Sequence, residues 1–285
     1  MFPVHGSPVC AGHAIFFESV MIPHDYHLHS NYSPDCQVNM VAMCQAAIDA
    51  GIAEIGFTEH YDLHPDEWER DWFKADAYFI ELERVRAQFA DRLTVRAAVE
   101  LGEPHIFRTE CQELLAKYPF DYALGSLHWV GRRLVFDPQF FSRPADEACR
   151  DFFQELERMT RLGGFDVLSH FDVIVRVGYD VYGEYDPTRY EDAIRPVLRN
   201  LIDHGIALDV NTAGFRRRAQ MLTPGVEILR WYREMGGERV TLGSDAHRTE
   251  HIGNHLDLAI SAIKAAGLTH LTFFERRQPR LVPLA

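Results

Sequence analysis

The stretch RVTLGSDAH, Arg239 to His247, decides how this chain folds. A short β-branched and apolar run ends abruptly in a carboxylate and an imidazole. The same design recurs in EIGFTEH (54–60), TVRAAVELGE (94–103), YALGSLHWV (122–130), FDVLSHFD (165–172) and IALDVNTAG (206–214). With the opening DYHLHS (25–30), these runs give seven expected strands. Segments with helical spacing separate them. NMVAMCQAAIDAG closes on Gly51, RDFFQELERMTRLGG closes on Gly163 and Gly164, and TPGVEILRWYREMGG offers Thr223 as a cap and Pro224 in the first turn. No linker or low-complexity tract interrupts the series, so the strands should be parallel.

Strand ends then choose between a doubly wound sheet and a closed barrel. A doubly wound sheet concentrates its site at one switch point. In a barrel, every C-terminal strand end converges on one mouth. Here each strand ends in a polar candidate: His27 and His29, His60, Glu100, His128, His170, Asn211, and finally Asp245 with His247. The expectation is an irregular (β/α)7 barrel, TIM-barrel-like, spanning 22–285, with its site at the C-terminal strand ends.

Composition bounds the function. The 285 residues are 47% apolar, enough to fill a sizeable core. A formal charge of −13 argues against a dedicated nucleic-acid binder, which needs a basic surface to release counterions. The five cysteines form no CxxC pair, which suits a reducing cytoplasm and no disulfide framework. Residues 1–21 lack the basic start of a signal peptide and any membrane-length apolar run. They read as an N-terminal extension, with Met21 an alternative start. No coiled-coil heptad points to an oligomer.

Metal ligation accounts for the residue types at the mouth. In HDYHLHSNYSPDC (24–36), His27 and His29 stand two apart, so on a strand both face one side, and Asp35 follows six residues later. Six histidines with three carboxylates exceed what one ion can use, so more than one metal is implied, with zinc, manganese and iron all suited to these donors. A serine triad fits poorly, since GSDAH lacks the second glycine of a nucleophile elbow, and no GxxxxGK loop appears. His5, His13, His24, His64, His204, His251, His255 and His270 are read as structural or surface histidines.

The motifs DYHLHS, GFTEH, GSLHWV, LSHFD and GSDAH, in this order, resemble those of the PHP (polymerase and histidinol phosphatase) superfamily of metal-dependent phosphoesterases. NTAGFRR (211–217) and FDVLSHFDVIVRVG (165–178) resemble its histidinol-phosphate phosphatase branch. The resemblance implies three metal ions: one held by His27, His29, Glu100 and Asp245, a second sharing Glu100 and adding His128 and His170, and a third held by Asp35, His60 and His247. All nine positions are filled, whereas a non-catalytic metal-binding module would be marked by their loss. Asp25 is expected to orient an imidazole from behind.

The implied chemistry is hydrolysis of L-histidinol phosphate by a metal-activated hydroxide, with Asp245, His247 and Glu100 at the reacting centre. The alternative substrates are another small phosphate ester, a nucleotide or a phosphodiester. Arg176 and Arg216 stand just past the fifth and sixth strands, where a guanidinium fork could grip phosphate oxygens, with Arg217 and Arg218 one register away. After Glu100 the chain reads LGEPHIFRTE, departing from the branch's aromatic and glycine-rich continuation. Glu103 and His105 are therefore expected to line the substrate pocket differently, and with Asp172 and Asn211 they are the candidates to recognise a substrate imidazole.

Overall fold

The structure is a computed structural model that describes residues 22–68 and 70–284. The expected extension 1–21 lies outside the described residues. In chain order the strands are β1 (Asp25–Leu28), β2 (Glu54–Tyr61), β3 (Thr94–Gly102), β4 (Tyr122–Ser126), β5 (Trp129–Val130), β6 (Arg133–Leu134), β7 (Val167–Leu168), β8 (Ala207–Asn211), β9 (Val240–Gly243), β10 (His270–Glu275) and β11 (Gln278–Pro283). The helices are α1 (Met40–Asp49), α2 (Ala75–Phe89), α3 (Arg108–Lys117), α4 (Ala145–Leu162), α5 (Val175–Tyr182), α6 (Glu191–His204), α7 (Val226–Glu234) and α8 (Leu256–Ala265).

Seven strands pair in the order β1-β2-β3-β4-β7-β8-β9, all parallel. A parallel bridge between Leu28 and Ala246 brings the two edges together, with His29 N–H donating to Ala246 O at 2.9 Å. The expected barrel is what forms, nearly closed. Apolar faces of the helices and the outer strand faces share one large core, including Met40, Phe57, Tyr78, Phe153, Leu198 and Ile263. The barrel's other end is filled by Tyr26, Tyr122 and Phe274, the last delivered by the antiparallel β10–β11 hairpin. No helix among the described residues is long and apolar enough to cross a membrane. Four described cysteines are free and buried.

Local chemistry explains the ends of the elements. Asn39 caps α1, its side chain accepting from Ala42 N at 2.9 Å, and Gly163 ends α4 with φ +59°, a region glycine enters without penalty. The expected cap at Thr223 does not form. Thr223 pairs its backbone with Asn211 in an antiparallel bridge, so α7 begins only after Gly225.

A bulge in β1 shapes the site. Asp25 pairs with Ile55 and Leu28 with Phe57, three steps on one strand against two on the other. That slip lets Tyr26 join the interior aromatic cluster while His27, its neighbour, also turns inward to Glu100.

Candidate metal centre

Glu100, buried near the end of β3, is the hub. Its Oε2 lies 3.3 Å from His27 Nε2, 3.4 Å from His29 Nε2 and 3.3 Å from His60 Nδ1. Its Oε1 lies 3.4 Å from His128 Nε2 and 3.2 Å from His170 Nε2. Five imidazoles from four strand ends thus meet one carboxylate. Asp245, from the loop after β9, places Oδ1 3.7 Å from His27 Nε2 and 3.6 Å from both His29 Nε2 and His247 Nδ1. Asp35 stands at the outer edge, 2.9 Å from His247 Nε2 and 3.7 Å from His60 Nε2.

All nine expected ligand residues therefore gather at the mouth, and the donor atoms of eight of them, all but Asp35, form four overlapping trios that could hold a metal. These are His29, His60 and His247; His27, His29 and Asp245; His27, Glu100 and His170; and His60, Glu100 and His128. Three donors face carboxylates at 2.9 to 3.4 Å without forming a hydrogen bond to them. His29 Nε2, His60 Nδ1 and His247 Nε2 are buried without a hydrogen-bond partner, an arrangement that is costly unless something else engages them. Nitrogen and carboxylate donors this dense suit zinc and the other borderline divalent ions.

Electrostatics keeps part of this set ready to ligate. Burial, reinforced by the nearby His247 and His60, lowers His29 to about 3. His170 falls to about 4, again chiefly through burial. Both imidazoles are neutral at ordinary pH. Burial would push the Glu100 carboxyl up, but His27 and His60, with hydrogen bonds from His128 and His170, hold it well below the usual carboxylate range. Asp245 is likewise held low against burial, by Arg176 and His27.

The residues that aim these ligands were missed in the sequence. Asp209 Oδ2 lies 2.9 Å from His27 Nδ1. Ser33 Oγ lies 3.0 Å from His29 Nδ1 and donates to Glu59 at 2.6 Å. Asp62 lies 3.2 Å from His128 Nδ1, the nitrogen opposite to the one facing Glu100, and also 3.3 Å from His60 Nδ1 on the donor side of that ring. Such outer partners fix the tautomer and orientation of a ligating imidazole. Gly243 permits the approach at β9, because a Cβ there would collide with the Asp209 carboxylate and His27 Cβ. Asp25 does not orient an imidazole. Its carboxylate instead accepts from the backbone N–H of Ser244 at 2.9 Å and of Gly253 at 3.1 Å, which ties β1 to the loop after β9.

Above the donors lies a cleft of about 530 Å³. Arg176 and Arg216 line it as expected, and Arg217 joins them. Arg176 Nη1 pairs with Asp245 Oδ2 at 2.8 Å and its Nη2 donates to Asn211 Oδ1 at 2.9 Å. Arg216 is anchored through Nη2 to Ser244 O and Asp245 O, both at 2.9 Å, and its Nη1 has no partner. Arg218 points elsewhere, 3.6 Å from Asp180.

Four expected substrate contacts stand outside the cleft. Glu103 is fully buried and accepts from His128 N at 2.6 Å and Trp129 N at 2.9 Å, so it holds the ligand-bearing segment from behind. His105 is paired with Glu155 at 2.7 Å. Asn211 bridges Arg176 to Asp209, donating to Asp209 Oδ2 at 3.0 Å. Asp172 is buried and does not reach the cleft. Conversely, His251, read as structural, lines the cleft beside Arg248, and so does Phe136.

An α/β barrel whose mouth converges histidines and carboxylates on one acidic hub defines the class as a metal-site barrel protein. Residues 25–213 match the PHP domain, and the chain belongs to that family. It is 31% identical to a probable histidinol-phosphatase of Clostridium acetobutylicum over 260 residues, covering 89% of this chain and 97% of the relative. It is 28% identical to the histidinol-phosphatase of Lactococcus lactis, covering 88% of this chain and 93% of that one. The crystal structure of the Lactococcus lactis histidinol phosphate phosphatase, complexed with zinc, L-histidinol and phosphate, superimposes with a TM-score of 0.84 at 26% identity, covering 90% of this chain and 98% of that chain.

Proposed function

We propose that this chain is a metal-dependent phosphomonoesterase that hydrolyses L-histidinol phosphate to L-histidinol and phosphate, a step of histidine biosynthesis. The observation that carries the reading is the meeting of five imidazoles on Glu100 beneath an arginine-lined cleft. Similarity to named histidinol-phosphatases along nearly the whole chain supports the substrate. The reading takes 22–285 as one catalytic unit acting on a small phosphate ester in the cytoplasm.

The reading takes three divalent ions, with zinc favoured by the imidazole-rich donors and manganese or iron as alternatives. His27, His29, Glu100 and Asp245 would hold the first, Glu100, His128 and His170 the second, and Asp35, His60 and His247 the third. Bound there, the ions would polarise the phosphoryl oxygens and bring a water's pKa towards neutrality. The chain's own residues supply the rest. Arg216 offers its unpartnered Nη1 to a phosphate oxygen, with Ser244 O and Asp245 O fixing its other nitrogen. Arg176 adds positive charge beside Asp245, which favours a phosphate whose charge moves to the leaving oxygen. Asp209, Ser33 and Asp62 keep the imidazoles aimed while the substrate turns over.

Phosphate release from L-histidinol phosphate, with an aryl phosphate, a phosphodiester and single-stranded DNA in parallel, tests this directly. Chelator-sensitive turnover with a strong preference for L-histidinol phosphate is the expected result. Chelator-sensitive cleavage of another ester in preference would move the substrate, and no cleavage with zinc, manganese or iron would overturn the enzyme.

A further inference from the structure

Phe136 lies between the β5–β6 hairpin and α4, and it is half-buried at the cleft wall. Among the described residues that line the cleft, only Phe136 and Ala213 are apolar, and Phe136 alone carries a hydrocarbon ring. Its position is built rather than incidental. Val135 N–H donates to His128 O at 2.8 Å, closing the loop that contains the hairpin and leaving the Phe136 ring 5.5 Å from that of His128. Glu103 clamps the start of that loop, and His64 stacks on Trp129 at 4.2 Å, nearly parallel.

The cleft is also polarised. Arg216 and Arg217 follow β8, while Arg248 and His251 follow β9. Phe136 follows β4, and in the nearly closed ring β1-β2-β3-β4-β7-β8-β9 the strand β9 stands three places from β4, as far as seven strands allow. Three of the cleft's four arginines, Arg216, Arg217 and Arg248, therefore follow strands two or three places from β4, while the fourth, Arg176, follows the neighbouring β7 and is held by Asp245 and Asn211. A phosphomonoester of an amino alcohol enters such a cleft in one sense. Its phosphate goes to the donors and arginines, and its ammonium group is repelled by the basic wall. The flat organic remainder then falls against Phe136, where both ring stacking and attraction of a cation to the ring face are favourable.

Resting on the histidinol-phosphate reading, we infer that Phe136 is a specificity-determining residue, the platform for the substrate's imidazole-bearing leaving group. The test compares kcat/KM for L-histidinol phosphate and for glycerol phosphate, which has no ring and no ammonium, in the wild type, Phe136→Ala, Phe136→Leu and Phe136→Tyr. Metal content per chain is measured throughout. Expected for Phe136→Ala and Phe136→Leu is a loss of about tenfold or more on L-histidinol phosphate, mostly in KM, with a much smaller loss on glycerol phosphate and metal content held. Phe136→Tyr should recover most of that loss, and the inhibition constant of free L-histidinol should rise in the Ala and Leu variants while that of inorganic phosphate stays put.

An equal fall on both substrates in the Leu variant, or a fall that follows metal loss, would make Phe136 a structural support of His128 and overturn the proposal. Unchanged discrimination in all variants would overturn it too. A wild type without preference for L-histidinol phosphate would instead remove the reading on which it rests, a result visible before any variant is made.

Discussion

His27 Nδ1 lies 2.9 Å from Asp209 Oδ2, with both side chains buried. The same oxygen accepts from Asn211 Nδ2 at 3.0 Å, and Asn211 in turn accepts from Arg176. One row of contacts thus runs from the arginine at the cleft to the imidazole at the donor cluster. A carboxylate at this place favours a proton on His27 Nδ1, which would leave Nε2 to face the donor cluster.

Replacing Asp209 with Asn keeps the shape and removes the charge. The expected outcome is metal affinity lower by about 10- to 100-fold, with the far-ultraviolet circular dichroism unchanged. Competition with a chromogenic chelator measures it, and unaltered affinity would show that His27 needs no such partner.

Glu100 should be far less replaceable. Its two oxygens reach five imidazoles, so Glu100→Gln removes the negative charge they share and replaces one acceptor oxygen by an N–H donor. Metal analysis should find fewer ions per chain, and turnover should fall by at least about a hundredfold. A fully loaded, active Gln variant would refute the hub.

The arginine row 216–218 separates by geometry. Arg216→Ala should raise KM for the phosphomonoester by about tenfold, because Nη1 has no partner within the chain, and metal content should fall less than that although the bonds from Nη2 to Ser244 O and Asp245 O go too. Arg218→Ala, which disturbs only the pair with Asp180, should leave KM within twofold of the wild type, given the small worth of exposed pairs. Matching effects in the two variants would mean that the cleft's cation is not Arg216.

Much of this site was legible because a barrel converts strand ends into neighbours. All nine expected ligand residues end up at one mouth, although they are spread from residue 27 to residue 247. The layer behind them was not legible, since Asp62 and Glu59 look like ordinary polar residues until the barrel closes. Asp209 left one usable signal. It sits inside the apolar run ALDVN, two residues before Asn211, and alternation puts both on the interior face. Glu103 and His105 stand close to Glu100 in the sequence but do not line the cleft. The chain turns at Glu103, with φ +45°, and sends the carboxylate back to the His128 segment. The β1 bulge was equally invisible, since period-two alternation would set Tyr26 and His27 on opposite faces.

His24 gives a prediction about acid stability that is independent of catalysis. It is fully buried, stacked on Tyr26 at 4.1 Å, and its Nε2 accepts from Leu242 N–H at 3.1 Å, so it must stay neutral in the fold. Burial lowers it to about 3 from the model-peptide 6.5. Between those values the unfolded chain binds a proton that the folded one refuses. Stability from this group is therefore complete above about pH 6.5 and is lost progressively as the pH falls towards 3. Moving from pH 8 to pH 5 should cost about 2 kcal/mol through His24 alone. His24→Gln keeps an acceptor for Leu242 N–H but cannot titrate. Urea denaturation at the two pH values should show a pH-dependent loss smaller by roughly that amount in the variant than in the wild type. Equal losses would mean that His24 contributes nothing to acid unfolding.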